Sequence, residues 1–261
     1  MFNSEKRIIL LLWIAVVISS CSDTTNPSED NSHPIKVATW NIQVFGQSKL
    51  NDTNAMSIIT KVCKNFDIIA IQEIRSIDQN VIPTLLDSLG ADWSYVISTR
   101  LGRTSSKEQY AFIYKNNVKL IDTFQTLDPL DQIHREPFGA TFEIGKIQYT
   151  FLNIHTDPDE EETESYYLDT LLRMYNKSIL LGDLNRHPND FDNDYFFEDY
   201  NYSLEVNQFT NLLKTKSYDN FIYTKPTFFK GTVYSFQDTF QLSDELAKDV
   251  SDHNPVYITI N

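Results

Sequence analysis

The chain is expected to form an α/β sandwich: two packed, mostly antiparallel sheets with helices on their outer faces. Three observations carry that expectation. Apolar runs of strand length outnumber helical patterns, so helical crossovers cannot join every strand as a purely parallel sheet requires. Two of the runs, D-I-I-A-I-Q-E (Asp67 to Glu73) and I-L-L-G-D-L-N (Ile179 to Asn185), are apolar with little alternation, as strands covered on both faces are. The 261 residues are 41% hydrophobic and 13% aromatic, enough for one large core or two modest ones. No internal repeat and no long linker follows Pro34, so residues 35–261 are expected to form one domain.

The N-terminal segment stands apart from that domain. Lys6 and Arg7 precede eleven apolar residues, Ile8 to Ile18, which is the pattern of a secretory leader and too short to span a bilayer comfortably. The run Ile18-Ser19-Ser20-Cys21 resembles a bacterial lipobox. It implies a signal over residues 1–20, lipidation of Cys21, and a membrane-anchored, extracytoplasmic protein; ordinary secretion with an incidental cysteine is the alternative. Residues 21–34 are polar and proline-containing, as a flexible tether is. With Cys21 acylated only Cys63 remains, which leaves no intramolecular disulfide, and Cys63 falls in an apolar helical pattern. The net charge is −14, and becomes −15 once Glu5, Lys6 and Arg7 are removed with the leader. Long-range charge therefore disfavours nonspecific hold on a polyanion, and a nucleic-acid substrate would need local arginines or bound metal.

Ile35 to Ile42 alternates as a strand with Asn41 near its end, and Asn51-Asp52-Thr53 signals the start of a helix whose apolar positions run to Phe66. The covered run that follows ends in Glu73, either a surface exit or a site residue. A second helix is expected from Gln79 to Leu89, with Pro83 tolerable only in its first turn. Strand patterns follow at Ser94 to Ser98, Gln109 to Lys115, Val118 to Phe124, Phe138 to Ile144 and Ile147 to Ile154, the last leading into His155. An amphipathic segment from Glu161 to Tyr175 precedes the second covered run, in which Gly182 is expected to turn the backbone and leave Asp183 and Asn185 pointing the same way. That pair suits a hard cation or a phosphate, although Asp-x-Asn also opens many turns. From Phe191 to Tyr202 six aromatics mix with four acids in a loop or helix of no evident function. Short strands near Asn220 to Tyr223 and Pro255 to Ile260 close the chain.

One polar strand end is ordinarily a solvated exit. Here Asn41, Glu73, His155, Asp183 with Asn185, and Asp252-His253 end or precede successive apolar strands, and all are of metal-ligand or acid–base type, so they are expected to converge. The words Trp40-Asn41, Gln72-Glu73, Arg135-Glu136-Pro137, Asn153-Ile154-His155, Gly182 to Asn185 and Ser251 to Pro255 resemble, in order, the endonuclease/exonuclease/phosphatase superfamily. Leu101 to Tyr110, Ser217 to Asn220 and Phe236 to Ala247 look like its deoxyribonuclease I branch, so that the resemblance runs from about Lys36 to Ile260.

That resemblance implies a four-layer α/β/β/α sandwich and metal-dependent cleavage of phosphodiesters. Asn41 and Glu73 would bind Mg²⁺, with Mn²⁺ a substitute, and Asp183, Asn185 and Asp252 would hold a second metal or the scissile phosphate. His253, oriented by Asp219, would serve as base, and His155, oriented by Glu108, as acid. Arg135 would clamp a phosphate oxygen or support the site from behind, and Arg75 and Arg103 would contact a DNA minor groove. Oxygen donors suit magnesium, and two imidazoles can share the proton transfers near neutral pH. The chain departs from the branch at Gln43, where an arginine is usual, and at Ser106, where a tyrosine is; both disulfides are absent and the calcium loops are shortened. The expectation is a metal-dependent endonuclease on DNA, monomeric and without a protein partner. A phosphodiesterase or phosphatase acting on a smaller ester or phospholipid head group is the alternative, and an idle binding module is disfavoured because no catalytic position is replaced.

Overall fold

The structure, a computed structural model, describes residues 33–175, 177–192 and 198–261; the expected leader, Cys21 and most of the tether lie outside these residues. In chain order the elements are β1 (Ile35–Phe45), α1 (Gln47–Asn51), α2 (Thr53–Cys63), β2 (Ile68–Ile74), α3 (Val81–Leu89), β3 (Trp93–Ile97), β4 (Gln109–Lys115) and β5 (Lys119–Gln125). Next come β6 (Phe138–Ile144), β7 (Ile147–His155), α4 (Glu161–Met174), β8 (Ser178–Asp183), α5 (Pro188–Asp192) and β9 (Tyr200–Tyr202). The chain closes with β10 (Asp219–Thr224), β11 (Thr232–Val233), α6 (Phe236–Phe240), α7 (Asp244–Val250) and β12 (Val256–Ile260). Among the described residues no helix is long and apolar enough to cross a membrane.

Two six-stranded sheets form, in the orders β11-β12-β1-β2-β4-β3 and β5-β6-β7-β8-β10-β9. Each has one parallel pair at its centre, β1 with β2 and β7 with β8, and antiparallel pairs elsewhere. The parallel pairs explain the unbroken apolar runs, because strands there are covered on both faces. In β2, Ile69 and Ile71 pack with helices α2, α3 and α7, whereas Ile68 and Ala70 pack between the sheets. In β8, Ile179 and Leu181 face the inter-sheet core and Leu180 faces α4. Three apolar cores thus separate four layers. The helix starts follow local chemistry: the Asp52 carboxylate caps α2 by accepting from Asn54 N and Ala55 N, both at 2.9 Å, and Pro83 sits in the first turn of α3.

A polar bridge crosses the otherwise apolar space between the sheets. Gln72 Nε2 donates to Asn153 Oδ1 at 2.6 Å and to Thr39 Oγ1 at 3.0 Å, and Asn153 Nδ2 donates to the carbonyls of Ile71 and Ala111, each at 3.2 Å. Buried amides that bond to each other only in one alignment fix how the sheets slide against each other, although Gln72 Oε1 itself has no partner. Gln72 directly precedes Glu73, and Asn153 lies two residues before His155, so the bridge also sets the height of the site.

Candidate active site

The register of the second sheet lines up one half of the site. His155 ends β7 opposite Asp183 of β8, and Asp183 is paired on its other side with Asp219 of β10, so the three stand in one row across the sheet edge. Gly182 is what lets β7 and β8 come together. It does not turn the chain, contrary to the expectation from sequence: it lies inside β8, and a Cβ there would stand 1.8 Å from the Ile154 carbonyl oxygen. The first sheet supplies the other half through a bulge. Pairing of β1 with β2 shifts register between Asn41 and Phe45, with Val44 at φ 50° and Glu73 at φ 59°. Left-handed backbone is costly for both residues, most of all for the β-branched valine. The distortion turns the Glu73 carboxylate toward Val44 N (2.8 Å) and Asn41 Nδ2 (3.2 Å), and Asn41 Nδ2 also reaches Asp183 Oδ2 at 3.0 Å.

The segment 251–254 closes the site between the sheets. Ser251 Oγ donates to Asn41 O at 2.7 Å and accepts from His253 N at 3.0 Å, while Trp40 Nε1 donates to His253 O at 2.8 Å. His253 Nδ1 meets Asp219 Oδ2 at 2.7 Å, and His155 Nδ1 meets Glu108 Oε1 at 2.9 Å. With each inner nitrogen held by a carboxylate, the outer ones converge: His155 Nε2 and His253 Nε2 lie 3.7 and 3.6 Å from the same oxygen, Asp183 Oδ2.

Burial opposes charge on both imidazoles, but neighbouring carboxylates outweigh it. Glu108 and Asp183 raise His155, and Asp219 and Asp183 raise His253 well above the ordinary histidine range. For Asp183 burial works upward, yet the two imidazoles, Asn185 N–H and the Asn41 amide hold it down. Glu108 is likewise depressed, against its burial, by His155, Arg135 and Arg75.

The arginines divide. Arg135 is buried, and its guanidinium donates to the carbonyls of His155 (3.0 Å) and Thr156 (3.1 Å) and stands 3.3 Å from Glu108 Oε1, a posture that supports the Glu108–His155 pair from behind. Arg75 bridges Glu73 (3.1 Å) and Glu108 (3.6 Å) at the cleft. Arg103 is turned aside into Asp131 and Glu160, both at 3.0 Å. Asn185 directs its amide N–H to Thr156 O at 2.8 Å, and Asp252 stands half exposed at the rim, 3.8 Å from His253 Nε2.

Sequence reasoning passed over Tyr110, whose hydroxyl accepts from His155 N (2.9 Å) and donates to His155 O (3.2 Å). It also missed Glu164 of α4, fully buried and accepting from His134 N (2.6 Å) and Asp157 N (2.9 Å). Tyr110 had a signal, being two residues beyond Glu108. Glu164 had only its place on the apolar face of an acidic helix.

The donor set fits a hard divalent cation. Asn41 Oδ1 is buried with no hydrogen-bonding partner, beside the Glu73 and Asp183 carboxylates, and oxygen is the ligand magnesium takes. Asp183, Asp219 and His253 also bring possible ligand atoms within 4.8 Å of one another. There His253 Nδ1 is held by Asp219 Oδ2, which orients the ring, while Asp219 Oδ1 is buried with no hydrogen-bonding partner.

A four-layer sandwich with two carboxylate-held imidazoles over a shared acid at the strand ends defines a class of phosphate-ester hydrolases. The chain belongs to the Endonuclease/Exonuclease/phosphatase family, whose pattern matches residues 38–253. It is 31% identical to Deoxyribonuclease gamma of Rattus norvegicus over 85% of this chain and 83% of that protein. It is 27% identical to Deoxyribonuclease-1 of Bos taurus over 87% and 92% respectively. Among solved structures, TDP2 from C. elegans superposes with a TM-score of 0.64 at 17% identity, covering 87% of this chain and 74% of its own. An endonuclease/exonuclease/phosphatase from Bacteroides vulgatus gives 0.64 at 12% identity, covering 88% and 99%. These last two likenesses speak to the fold alone.

Proposed function

We propose that the protein is a magnesium-dependent endonuclease that hydrolyses phosphodiester bonds of DNA, held outside the cytoplasm of a bacterium by a lipid on Cys21. The observation that carries the chemistry is the convergence of His155 Nε2 and His253 Nε2 on Asp183 Oδ2, each imidazole held from behind by its own carboxylate. The kinship with two deoxyribonucleases over most of the chain supports DNA as the substrate.

In this reading a phosphodiester enters beside Asp183 with a water molecule on the His253 side. His253 Nε2 takes the water proton as the new P–O bond forms, and Asp219 keeps the ring in the required tautomer. The bond to the leaving oxygen breaks, and His155 Nε2 delivers the proton that oxygen needs; Glu108 and Asp183 raise the basicity of His155, which favours the protonated form this task requires. Arg135 and Tyr110 fix the His155 main chain, and Asn185 lines the phosphate side. Asn41, Glu73 and Asp183 would hold magnesium, which would supply positive charge against the negative charge gathering on phosphorus.

Plasmid nicking tests this. Activity is expected with Mg²⁺ or Mn²⁺ and none with EDTA, and activity retained after chelation overturns the metal assignment. Gln43, Ser106 and an Arg103 engaged by acids leave a thin basic surface for duplex DNA, and favour as second reading a smaller phosphodiester or a phospholipid head group. Hydrolysis of phospholipid vesicles faster than of any nucleic acid would put that reading first.

A further inference from the structure

Lys49 carries a charge that the reaction above does not use. It lies on α1, with its Nζ donating to three main-chain carbonyls: Gln43 at 2.6 Å, Val250 at 2.8 Å and Ile42 at 3.4 Å. An ammonium has three donors and no acceptor, so this contact set takes up its full capacity. Ile42 and Gln43 directly follow Asn41 on the bulged end of β1. Val250 is the last residue of α7, where unpaired carbonyls attract a cation, and it directly precedes Ser251, Asp252 and His253. Burial pulls the ammonium down to about 8, while the charges of Asp252 and Glu73 act to hold it up. The other side-chain ties between this segment and β1 described above, Ser251 Oγ to Asn41 O and Trp40 Nε1 to His253 O, are bonds between neutral groups.

We propose that Lys49 is a positioning residue of the active site, pinning the β1 segment that carries Asn41 to the end of α7 that leads into Asp252 and His253. The inference rests on the nuclease reading above. Lys49 touches no reacting group; its three bonds hold the cation-binding side and the base side of the site at a fixed separation. Charge-assisted bonds to carbonyls are roughly twice as strong as neutral ones, which suits a clamp on a strand already distorted at Val44 and Glu73.

The test compares the full chain with Lys49→Met, Lys49→Arg and Lys49→Gln on supercoiled plasmid and on bis(p-nitrophenyl) phosphate in saturating Mg²⁺. Lys49→Met, of similar length but without donors, is expected to lower kcat about 10- to 100-fold, the usual effect of a slight misplacement, with KM within about twofold. Lys49→Arg keeps N–H donors and charge and should recover most of the loss. A wild-type kcat in Lys49→Met, a loss confined to KM, or an arginine variant as impaired as the methionine one overturns the proposal. If Lys49→Met does not melt cooperatively, Lys49→Gln decides: a folded protein with reduced kcat supports the clamp, and wild-type kcat or a second failure to fold overturns it. A wild-type chain inactive on every diester removes the nuclease reading and the clamp with it, whereas an active wild type matched by Lys49→Met removes the clamp alone.

Discussion

His155 and His253 have the same three supports: a carboxylate on Nδ1, burial, and Asp183 in front of Nε2. Replacing either by alanine should lower kcat by roughly 10² to 10⁴, the worth of a positioned acid or base, and the double variant should be little worse than the poorer single one. Steady-state rates on a chromogenic diester decide it, and a single variant that keeps most of its rate reduces that histidine to a structural part. Each of these residues was readable from sequence because it ends or precedes an apolar strand, where an ionisable group has to be explained, and its role as acid or base came from the family resemblance. Lys49 and Glu164 were not readable, because they act through main-chain atoms, and nothing in the identities of the residues contacted records the bond; Tyr110 had only its place two residues beyond Glu108.

Among the elements, the long strands were legible from covered or alternating patterns, and α2, α3 and α4 from helical spacing. The elements α1, α5, α6, α7, β9 and β11 run to two to seven residues each, too short for periodicity to speak, and their caps are ordinary turn residues. The α4 helix carries a second measurable consequence. Burial raises Glu164 from an ordinary 4.5 to about 7 despite two backbone N–H donors. The folded state therefore binds this proton more tightly than the unfolded chain. The contribution to stability is fully present below about 4.5 and is lost as pH rises through about 7, a swing on the order of 3 kcal/mol. Glu164→Gln cannot ionise, so urea unfolding from roughly pH 5 to 8 should show wild type losing stability relative to it; a constant difference contradicts the burial argument. In β8, Gly182→Ala forces a methyl group onto the Ile154 carbonyl and should cost at least about 3 kcal/mol, the upper end for overpacking, with the His155–Asp183 row disturbed. Denaturant midpoints and activity of the variant measure both effects.

Over the whole molecule, the acidic balance leaves a polyanion to be met by local arginines, and all three candidates, Arg75, Arg103 and Arg135, are already paired with carboxylates. If Cys21 bears lipid, Cys21→Ser should move the protein from the detergent phase to the aqueous phase, since a polar tether cannot anchor it; equal partitioning of the two forms returns the segment to ordinary secretion. The sheet order has a kinetic consequence as well. The strand bearing Asn41 has β12 as one neighbour, and Ser251 meets Asn41 across 210 positions of chain. Contacts so far apart in sequence repay the entropy of closing the intervening loop only after nearer pairings such as β3 with β4 and β6 with β7 have formed. On dilution from denaturant, far-ultraviolet ellipticity should therefore recover before cleavage does. On this expectation the two halves of the cleft meet late in folding, and a chain that has regained most of its secondary structure should still lack activity.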